Sequence, residues 1–300
     1  MLNNFKKVYE LPEIDNLPMG QISSDECKLL YWLAKEVWNG KGTIVEVGSL
    51  YGKSTVCLGR GIRENKNEKK GKLHCFDRWM VDDENRYMMG QLKKGYNGSF
   101  KHLFDSNVND FTDLIITHEG DAFEQEWSGE DIAILFLDCS VSKEFHEMAF
   151  NKFFKNLNID SILIHQDYFF YRSYYLPLMM VKLSNYMSMI GNVDTSMVYQ
   201  VRSKIPDKMF IKPLIDDELE IEESLLWHIK LYGGMKTQWG GIFCTMMLYY
   251  YYTKNDISKF IETTKKLMYE QKITSSTNNA VVRNLNSLMK ETGKWHLPHI

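Results

Sequence analysis

Five short apolar runs along this chain each lead into an acidic residue, and this pattern constrains the fold more than any other feature. The runs are TIVEVG, LHCFD, DLIITHEGD, IAILFLDCS and DSILIHQDY, and their acids are Glu46, Asp77, Asp121, Asp138 and Asp167. Segments with the composition of helices lie between them. Apolar strands that alternate with helices are typical of a parallel sheet covered on both faces. Because ligands bind beyond the carboxyl ends of such strands, we expect these acids to gather at the ligand-binding edge.

The segment EVGSLYGKST at positions 46–55 joins the first strand to a helix through a glycine-containing loop. Its GKST ending is that of a P-loop, but only three residues separate Gly48 from Gly52, whereas the P-loop motif has four. The second glycine of the dinucleotide fingerprint is also missing. Glu46 beside the loop would repel a pyrophosphate and attract a cationic amino group. The loop therefore favours a nucleoside that carries an amino acid over ATP, GTP or NAD, and Lys53 is expected to be an exposed residue at the helix start.

Composition narrows the class of protein further. The chain has 300 residues, 44% of them hydrophobic and 25% charged, with a net charge of −3. The chain has no excess of basic residues, so we expect no nucleic-acid partner. The five cysteines form no C-x-x-C pair, which argues against a disulfide framework and a structural zinc site. The longest apolar run is shorter than a membrane helix and the first residues lack the apolar core of a signal peptide, so we expect a cytoplasmic protein without a membrane partner.

Hydrophobic periodicity divides the chain into three predicted segments. They are an N-terminal helical segment (1–40), a strand-containing domain (41–212) and a helical C-terminal extension (213–300). In the first segment, near-helical apolar spacing after a Ser/Asp cap predicts a helix over 24–38. Within the domain, helices are expected over about 54–64 and 143–155, and a helical or looped insertion over 82–111. The sequence also predicts a helix from Asp167 to about Tyr186. A hairpin is expected around the turn IPD, with DTSMVYQVRS and KMFIK as its two strands.

The ordered motifs resemble those of class I S-adenosylmethionine-dependent methyltransferases. VEVGSLYGKST resembles the first motif of that family, FDRW the second, EGDAFE the third, ILFLDCS the fourth and ILIHQDY the segment after the fourth. The resemblance covers about residues 43–210. It implies a Rossmann-like α/β fold with a mostly parallel seven-stranded sheet and helices on both faces, here with a helical C-terminal extension.

The resemblance also implies a set of cofactor-binding residues. Glu46, Gly48, Ser49 and Gly52 would contact the methionine part of S-adenosylmethionine, with Ser54 at the helix start. Asp77 would bind the ribose. Asp121 and Ala122 would bind the adenine, and Asp138 is a further candidate. Trp79 is expected to lie against the adenosine, and a role in the hydrophobic core is the alternative.

Within that family the closest resemblance is to the macrocin-type sugar O-methyltransferases, whose later motifs supply a divalent cation site beside a general base. This chain keeps Asp138 and Asp167 of those motifs, while Ser140 and Gln166 stand where further acids would be. Asp138, Gln166 and Asp167 are therefore the candidate ligands for Mg²⁺, with oxygen donors that suit this ion.

His165, in LIHQDY, is the candidate base, because a histidine titrates near neutral pH. Asp138 and Asp167 complete the candidate catalytic set, and a buried structural role for His165 remains the alternative. Two other histidines have simpler expected roles. His118 is expected to cap a strand and His146 to lie on the exposed face of a helix.

These features predict methyl transfer from S-adenosylmethionine to a small-molecule acceptor, at a hydroxyl of a sugar or related metabolite. An alternative is a methyltransferase-fold protein that binds the cofactor without catalysis and acts as a regulatory partner. A P-loop nucleotidase is a third hypothesis, which the short loop disfavours. The helical C-terminal region is a candidate surface for homo-oligomer formation.

Overall fold

The computed structural model describes residues 5–68, 71–81, 96–139, 142–272 and 280–293. Seven strands lie within them: β1 (Thr43–Val47), β2 (Leu73–Asp77), β3 (Ile115–Glu119), β4 (Ile132–Leu137), β5 (Leu157–His165), β6 (Met187–Val193) and β7 (Ser196–Val201). They form one sheet in the order β3-β2-β1-β4-β5-β7-β6. Strands β1 to β5 run parallel, and β7 lies antiparallel between β5 and β6. The predicted Rossmann-like methyltransferase fold is confirmed.

Helices surround and follow the sheet. They are α1 (Lys6–Tyr9), α2 (Ser24–Trp32), α3 (Lys53–Glu64), α4 (Lys101–Asn107), α5 (Lys143–Phe153), α6 (Leu176–Lys182), α7 (Glu218–Leu231), α8 (Gln238–Thr253), α9 (Ile257–Gln271) and α10 (Ala280–Thr292). The last four make up the predicted helical C-terminal part. Among the described residues, none of these helices is both long enough and apolar enough to cross a bilayer.

Alternating side chains of the central strands supply the cores on the two faces of the sheet. Ile44 and Cys75 belong to a cluster that also contains Leu29 of α2 and Leu58 of α3. The next side chain along β2 points to the other face, because successive strand residues alternate. There the ring of Phe76 packs edge-on against Phe153 of α5 at 5.5 Å. The sheet is therefore covered on both faces, as predicted.

The sequence explains where α2 begins. The hydroxyl of Ser23 accepts the backbone N–H of Glu26, and the Glu26 carboxylate accepts the backbone N–H of Ser23. This reciprocal arrangement is a capping box, which satisfies two backbone donors at a helix start. The helix continues into a wider turn over Leu33–Val37. The predicted helix over 24–38 thus ends in irregular geometry.

The predicted hairpin around IPD is wrong. The hairpin consists of β6 and β7, joined by a two-residue turn in which Asp194 has φ +44°. KMFIK instead begins in a single helical turn, Asp207–Phe210. Pro206 has no N–H to donate to a partner strand, which disfavours pairing at this point. Gly191 and Asn192 weakened the strand signal of β6, because both residue types are uncommon in strands.

The described residues divide into two compact units that alternate along the chain. The first contains the described residues up to 139, together with 148–166 and 186–205. The second contains 142–147, 167–185 and the described residues from 206 onward. This division differs from the three consecutive segments expected from the sequence. All seven strands belong to the first unit.

Candidate active site

The carboxyl ends of β1, β2 and β4 lie very close together. The backbone N–H of Gly48 donates to the carbonyl oxygen of Phe76 at 2.8 Å, and that of Asp138 donates to Val47 at 2.8 Å. A Cβ added to Gly48 would lie 1.8 Å from the carbonyl oxygen of Asp138. With a φ of +100°, Gly48 also has a backbone conformation that other residues rarely adopt. Glycine is therefore required here by the packing of the strand ends.

Glu46 is a buried acid at the base of this loop. It is fully excluded from solvent, and its Oε2 accepts hydrogen bonds from Ser49 Oγ at 2.9 Å and Thr55 Oγ1 at 2.5 Å. Its Oε1 is buried and has no hydrogen-bond partner among the described residues. Burial raises the pKa of Glu46, while neighbouring hydroxyls, that of Ser54 first among them, act in the opposite direction. An unsatisfied buried carboxyl oxygen is costly, so this atom is suited to a ligand donor.

Helix α3 begins beside Glu46 without a side-chain cap. Its N-cap residue is Gly52, with φ +90°, and no side chain there accepts a backbone N–H. The turn before it is closed by a hydrogen bond of 2.7 Å from the N–H of Gly52 to the carbonyl oxygen of Ser49. The first N–H groups of a helix have no partner within the helix, and the dipole there favours an anion. A carboxylate would fit this helix start.

The tip of the loop is attached to the end of β2 through Asp77. Its two carboxylate oxygens accept the N–H of Leu50 at 2.8 Å and the N–H of Trp79 at 2.7 Å. The indole N–H of Trp79 in turn donates to the carbonyl oxygen of Leu50 at 2.9 Å. Burial raises the pKa of Asp77, and these backbone hydrogen bonds oppose the rise. Leu50 and Trp79 both have positive φ, so Asp77 stabilises a strained loop.

Trp79 lies in the hydrophobic core, which is the alternative expected from the sequence. Its indole is fully buried, with Phe104 packed against it at 4.6 Å and the ammonium of Lys101 5.2 Å from the ring centroid. The ring therefore presents no exposed face to a nucleoside in this structure. Its direct contact is with the loop, through the carbonyl oxygen of Leu50.

Lys53 also differs from the expectation of an exposed residue. It is half-buried, and its Nζ donates to the carbonyl oxygen of Ile22 at 2.5 Å. A Cβ added to Gly20 would lie 2.7 Å from Cβ of Lys53, so the preceding segment packs directly on this side chain. Lys53 fixes the N-terminal segment to the start of α3. The GKST ending therefore has a structural explanation.

The turn after β3 is held by a lysine that belongs to none of the sequence motifs. The carboxylate of Asp121 accepts the N–H of Phe123 at 2.9 Å, and Ala122 beside it is buried. Lys152 of α5 donates through Nζ to the carbonyl oxygens of Ala122 and Gln125. Burial lowers the pKa of Lys152, and the charge of Asp121 partly offsets this effect. The predicted adenine-binding turn is thus held by the ammonium of one half-buried lysine.

The candidate metal ligands find no support. Among the described residues, no three His, Cys, Asp or Glu side chains are close enough together to hold a metal ion. Asp138 is half-buried after β4, and Ser140 lies outside the described residues. The side-chain amide of Gln166 donates to the hydroxyl of Thr195 at 3.4 Å. Asp167 has φ +54° and belongs to the second unit.

Two of the histidines considered in the sequence, His165 and His146, are buried. His165 is fully excluded from solvent near Phe154 and Tyr199, with ring centroids 6.4 and 6.5 Å away. His146 is also buried, beside Tyr175, so its expected exposed position is wrong.

His118 does not simply cap β3. Its Nε2 lies 2.9 Å from Nδ1 of His74, and its ring stacks on Phe76 at 4.0 Å. Burial lowers the pKa of His118 to about 4, and the neighbouring His74 contributes in the same direction. His118 is therefore neutral at physiological pH, which suits a structural position in the sheet.

The arrangement around α3 fits one end of S-adenosylmethionine. An amino acid carries an ammonium and a carboxylate on the same carbon. Glu46 supplies a buried oxygen that lacks a donor among the described residues, and the uncapped start of α3 suits an anion. The ammonium of an amino acid would match the Glu46 oxygen, and its carboxylate would match the adjacent start of α3.

A comparison with family models gives one relevant match. A family described as a methyltransferase domain matches residues 45–168, which is 124 of the 300 residues. The matched segment includes β2 to β5 and every candidate cofactor-binding residue. Residues 45–168 therefore have the sequence features of a methyltransferase domain. A comparison with curated protein sequences gives no match.

Several solved structures are similar to part of this chain. The O-methyltransferase NovP has 13% identity and a TM-score of 0.47, covering 59% of this chain and 79% of its own. An O-methyltransferase from Bacillus cereus, in complex with SAH, has 14% identity and a TM-score of 0.40, with coverages of 62% and 84%. The calicheamicin methyltransferase CalS11 has 18% identity and a TM-score of 0.40, with coverages of 58% and 77%. At these values, none of them identifies an acceptor for this chain.

Proposed function

We propose that this chain is an S-adenosylmethionine-dependent methyltransferase whose acceptor is a hydroxyl of a sugar or a related small metabolite. The observation that carries the proposal is Glu46 beside the uncapped start of α3, within a segment that matches a methyltransferase domain. The macrocin-type sugar O-methyltransferases are the group to which we assign it.

The cofactor would be held along the edge formed by the strand ends. Glu46 would accept the ammonium of the methionine part, while Ser49, Gly52 and Ser54 would place its carboxylate at the start of α3. Gly48 allows the strand end to lie against Asp138. The remaining candidates are Asp77 for the ribose and Asp121 with Ala122 for the adenine. Trp79 would act indirectly, by holding Leu50.

When bound, the cofactor supplies an already activated methyl group, so the protein needs mainly to position an acceptor oxygen in line with it. Asp138, His165 and Asp167 are the residues that we propose to orient the acceptor or accept its proton. Asp138 is half-buried and directly follows β4, which places it at the edge where Glu46 and Asp77 also lie. Tight hydrogen bonding by Asp77 keeps the loop at that edge preorganised.

The proposal is tested by methyl transfer from labelled S-adenosylmethionine to a panel of sugars and nucleotide sugars. We expect label in an acid-stable ether product, and loss of at least about 100-fold in rate for Asp138→Ala. Separate His165→Ala and Asp167→Ala variants identify which of these two residues contributes to the rate of methyl transfer. Binding of the cofactor without transfer to any hydroxyl in a cell extract would instead support the alternative.

That alternative is a cofactor-binding regulatory protein without catalysis. It is favoured by Gln166, an amide at a position where the related motif carries an acid. Under this alternative the Asp138→Ala variant would bind a partner protein as well as the unmodified chain does. The two proposals share the same cofactor site and differ in methyl transfer and in the binding of a partner protein.

A further inference from the structure

Helix α7 in the second unit exposes a row of large apolar side chains. Leu219, Leu226 and Trp227 are 75%, 47% and 51% exposed. On the opposite side of the helix, Ile221 and Leu225 are buried, where α7 packs on α8. At 100° per residue, the three exposed side chains fall within about 100° of one another around the helix. The helix is therefore apolar on two sides, of which one is covered by other residues that the structure describes and the other is not.

Two charged residues lie in the same row. Glu223 and Lys230 are exposed, are seven residues apart, and make no ion pair within the described part of the chain. In contrast, two acids at the edge of the row are paired. Glu218 contacts Lys254, and Glu222 contacts Lys259 at 2.9 Å. The row thus consists of apolar side chains with one acid and one base, and these two charges lie at equal distances from the midpoint between Leu226 and Trp227.

We propose that this row binds the same row of a second copy of the chain, with the two α7 helices antiparallel about a two-fold axis between Leu226 and Trp227. Glu223 and Lys230 each lie 3.5 residues from that midpoint, or about 5 Å along the helix. The symmetry therefore places Glu223 opposite Lys230 of the second copy, and Lys230 opposite its Glu223. A self-complementary surface of this kind is what a two-fold contact requires.

The opposite orientation would not give this match. In a parallel pair, each charge would face its own counterpart, and like charges at an interface are unfavourable. The four apolar side chains at the centre, Leu226 and Trp227 from each copy, would be the buried anchors, and Trp is enriched among such anchors. Because the row belongs to a single helix, the contact is smaller than a standard interface, and we expect a dissociation constant in the micromolar range.

The test is sedimentation velocity of the full chain over about 1 to 200 µM at low salt, where charge pairs act most strongly. We expect a monomer–dimer equilibrium. Glu223→Lys and Lys230→Glu should each weaken the dimer about tenfold or more, because each creates two like-charge contacts. The double variant carrying both substitutions should restore the dimer to within about threefold of the unmodified chain, since the exchanged charges still match.

A second pair of variants tests the apolar centre. Trp227→Ala should weaken the dimer by at least about thirtyfold. Ile211→Ala, at an exposed apolar residue outside α7, is the matched control and should leave the equilibrium unchanged. A monomer at every concentration, or a dimer that neither single charge variant nor Trp227→Ala weakens, would overturn the proposal. Methyl-transfer activity does not enter this test, so its outcome is independent of the proposed function.

Discussion

Glu46 combines full burial, two hydroxyl donors on one oxygen and a second oxygen that accepts no hydrogen bond from the part of the chain that the structure describes. Burial raises its pKa, so at a given pH the free protein holds more of this acid in the neutral form than an exposed glutamate would. A bound ammonium favours the carboxylate. Binding of the cofactor is therefore expected to release a proton wherever Glu46 is still protonated in the free protein.

We predict that the affinity for S-adenosylmethionine falls as the pH is lowered through the raised pKa of Glu46, by up to about tenfold per pH unit. Glu46→Gln cannot titrate, so it should bind more weakly at neutral pH and show no such dependence. Calorimetric titrations from about pH 7 downward measure the affinity of the unmodified chain and of Glu46→Gln. In this pH range an α-amino group stays largely protonated.

The exposed Glu10 provides the matched control for this experiment. Glu10→Gln should keep the pH dependence of the unmodified chain. Affinity curves for the unmodified chain and Glu46→Gln that remain parallel over the whole range would show that Glu46 does not contact the ammonium.

Lys152 is a second single residue on which the site depends, because its ammonium donates hydrogen bonds to backbone carbonyl oxygens. Replacing it with Met keeps a long apolar side chain but removes the donor to Ala122 and Gln125. We expect a loss of about 2 kcal/mol in the free energy of unfolding, since a charged hydrogen bond contributes about that much. We also expect cofactor binding about tenfold weaker, because the adenine-binding turn loses its anchor.

Urea unfolding and calorimetry measure the two effects of Lys152→Met. Lys155→Met is the control, because Lys155 is exposed and lies one helical turn further along the chain. Equal unfolding free energies and affinities for the two variants would contradict the role given to Lys152.

At the scale of elements, the junction of β1 with β4 is the tightest part of the site. Ala at position 48 would need a positive φ and would also place its Cβ against the Asp138 carbonyl. We expect Gly48→Ala to lower the free energy of unfolding by more than about 3 kcal/mol, because the two strand ends would have to separate.

A substitution at Gly129 separates the cost of the positive φ from the cost of the contact between the added Cβ and its neighbours. It has a comparable φ of +85°, but an added Cβ would meet no atom of the described residues within 4 Å. Gly129→Ala should therefore show only the conformational cost, about 1 to 2 kcal/mol. Equal losses for the two variants in urea unfolding would mean that the strand junction is not tightly packed.

The sequence predicted the elements whose signal is local. The apolar runs gave all five parallel strands, and the capping pattern gave the start of α2. The pairing of β6 with β7 could not be predicted, because Gly191 and Asn192 interrupt the strand pattern. In the site, ordered motifs located the glycine loop. Lys152 could not be found in the same way, because its partners are carbonyl oxygens about 30 residues earlier, which any sequence provides.

At the scale of the whole molecule, the chain alternates between its two compact units, and this could not be predicted from composition. A consecutive division follows from local helix and strand signals, whereas the compact units depend on which distant segments pack together. The exposed row on α7 belongs to the same scale. Its function concerns a second molecule, and the periodicity of the helix alone does not distinguish a covered apolar side from an uncovered one.

The central claim is that the loop after β1 holds an amino-acid-bearing nucleoside and not a nucleoside triphosphate. Titration calorimetry of the full chain with S-adenosylmethionine, S-adenosylhomocysteine and ATP with Mg²⁺ tests it most directly. We predict saturable binding of one molecule of S-adenosylmethionine or S-adenosylhomocysteine per chain and no saturable binding of ATP. Saturable binding of ATP without binding of the two sulfur nucleosides would contradict the account.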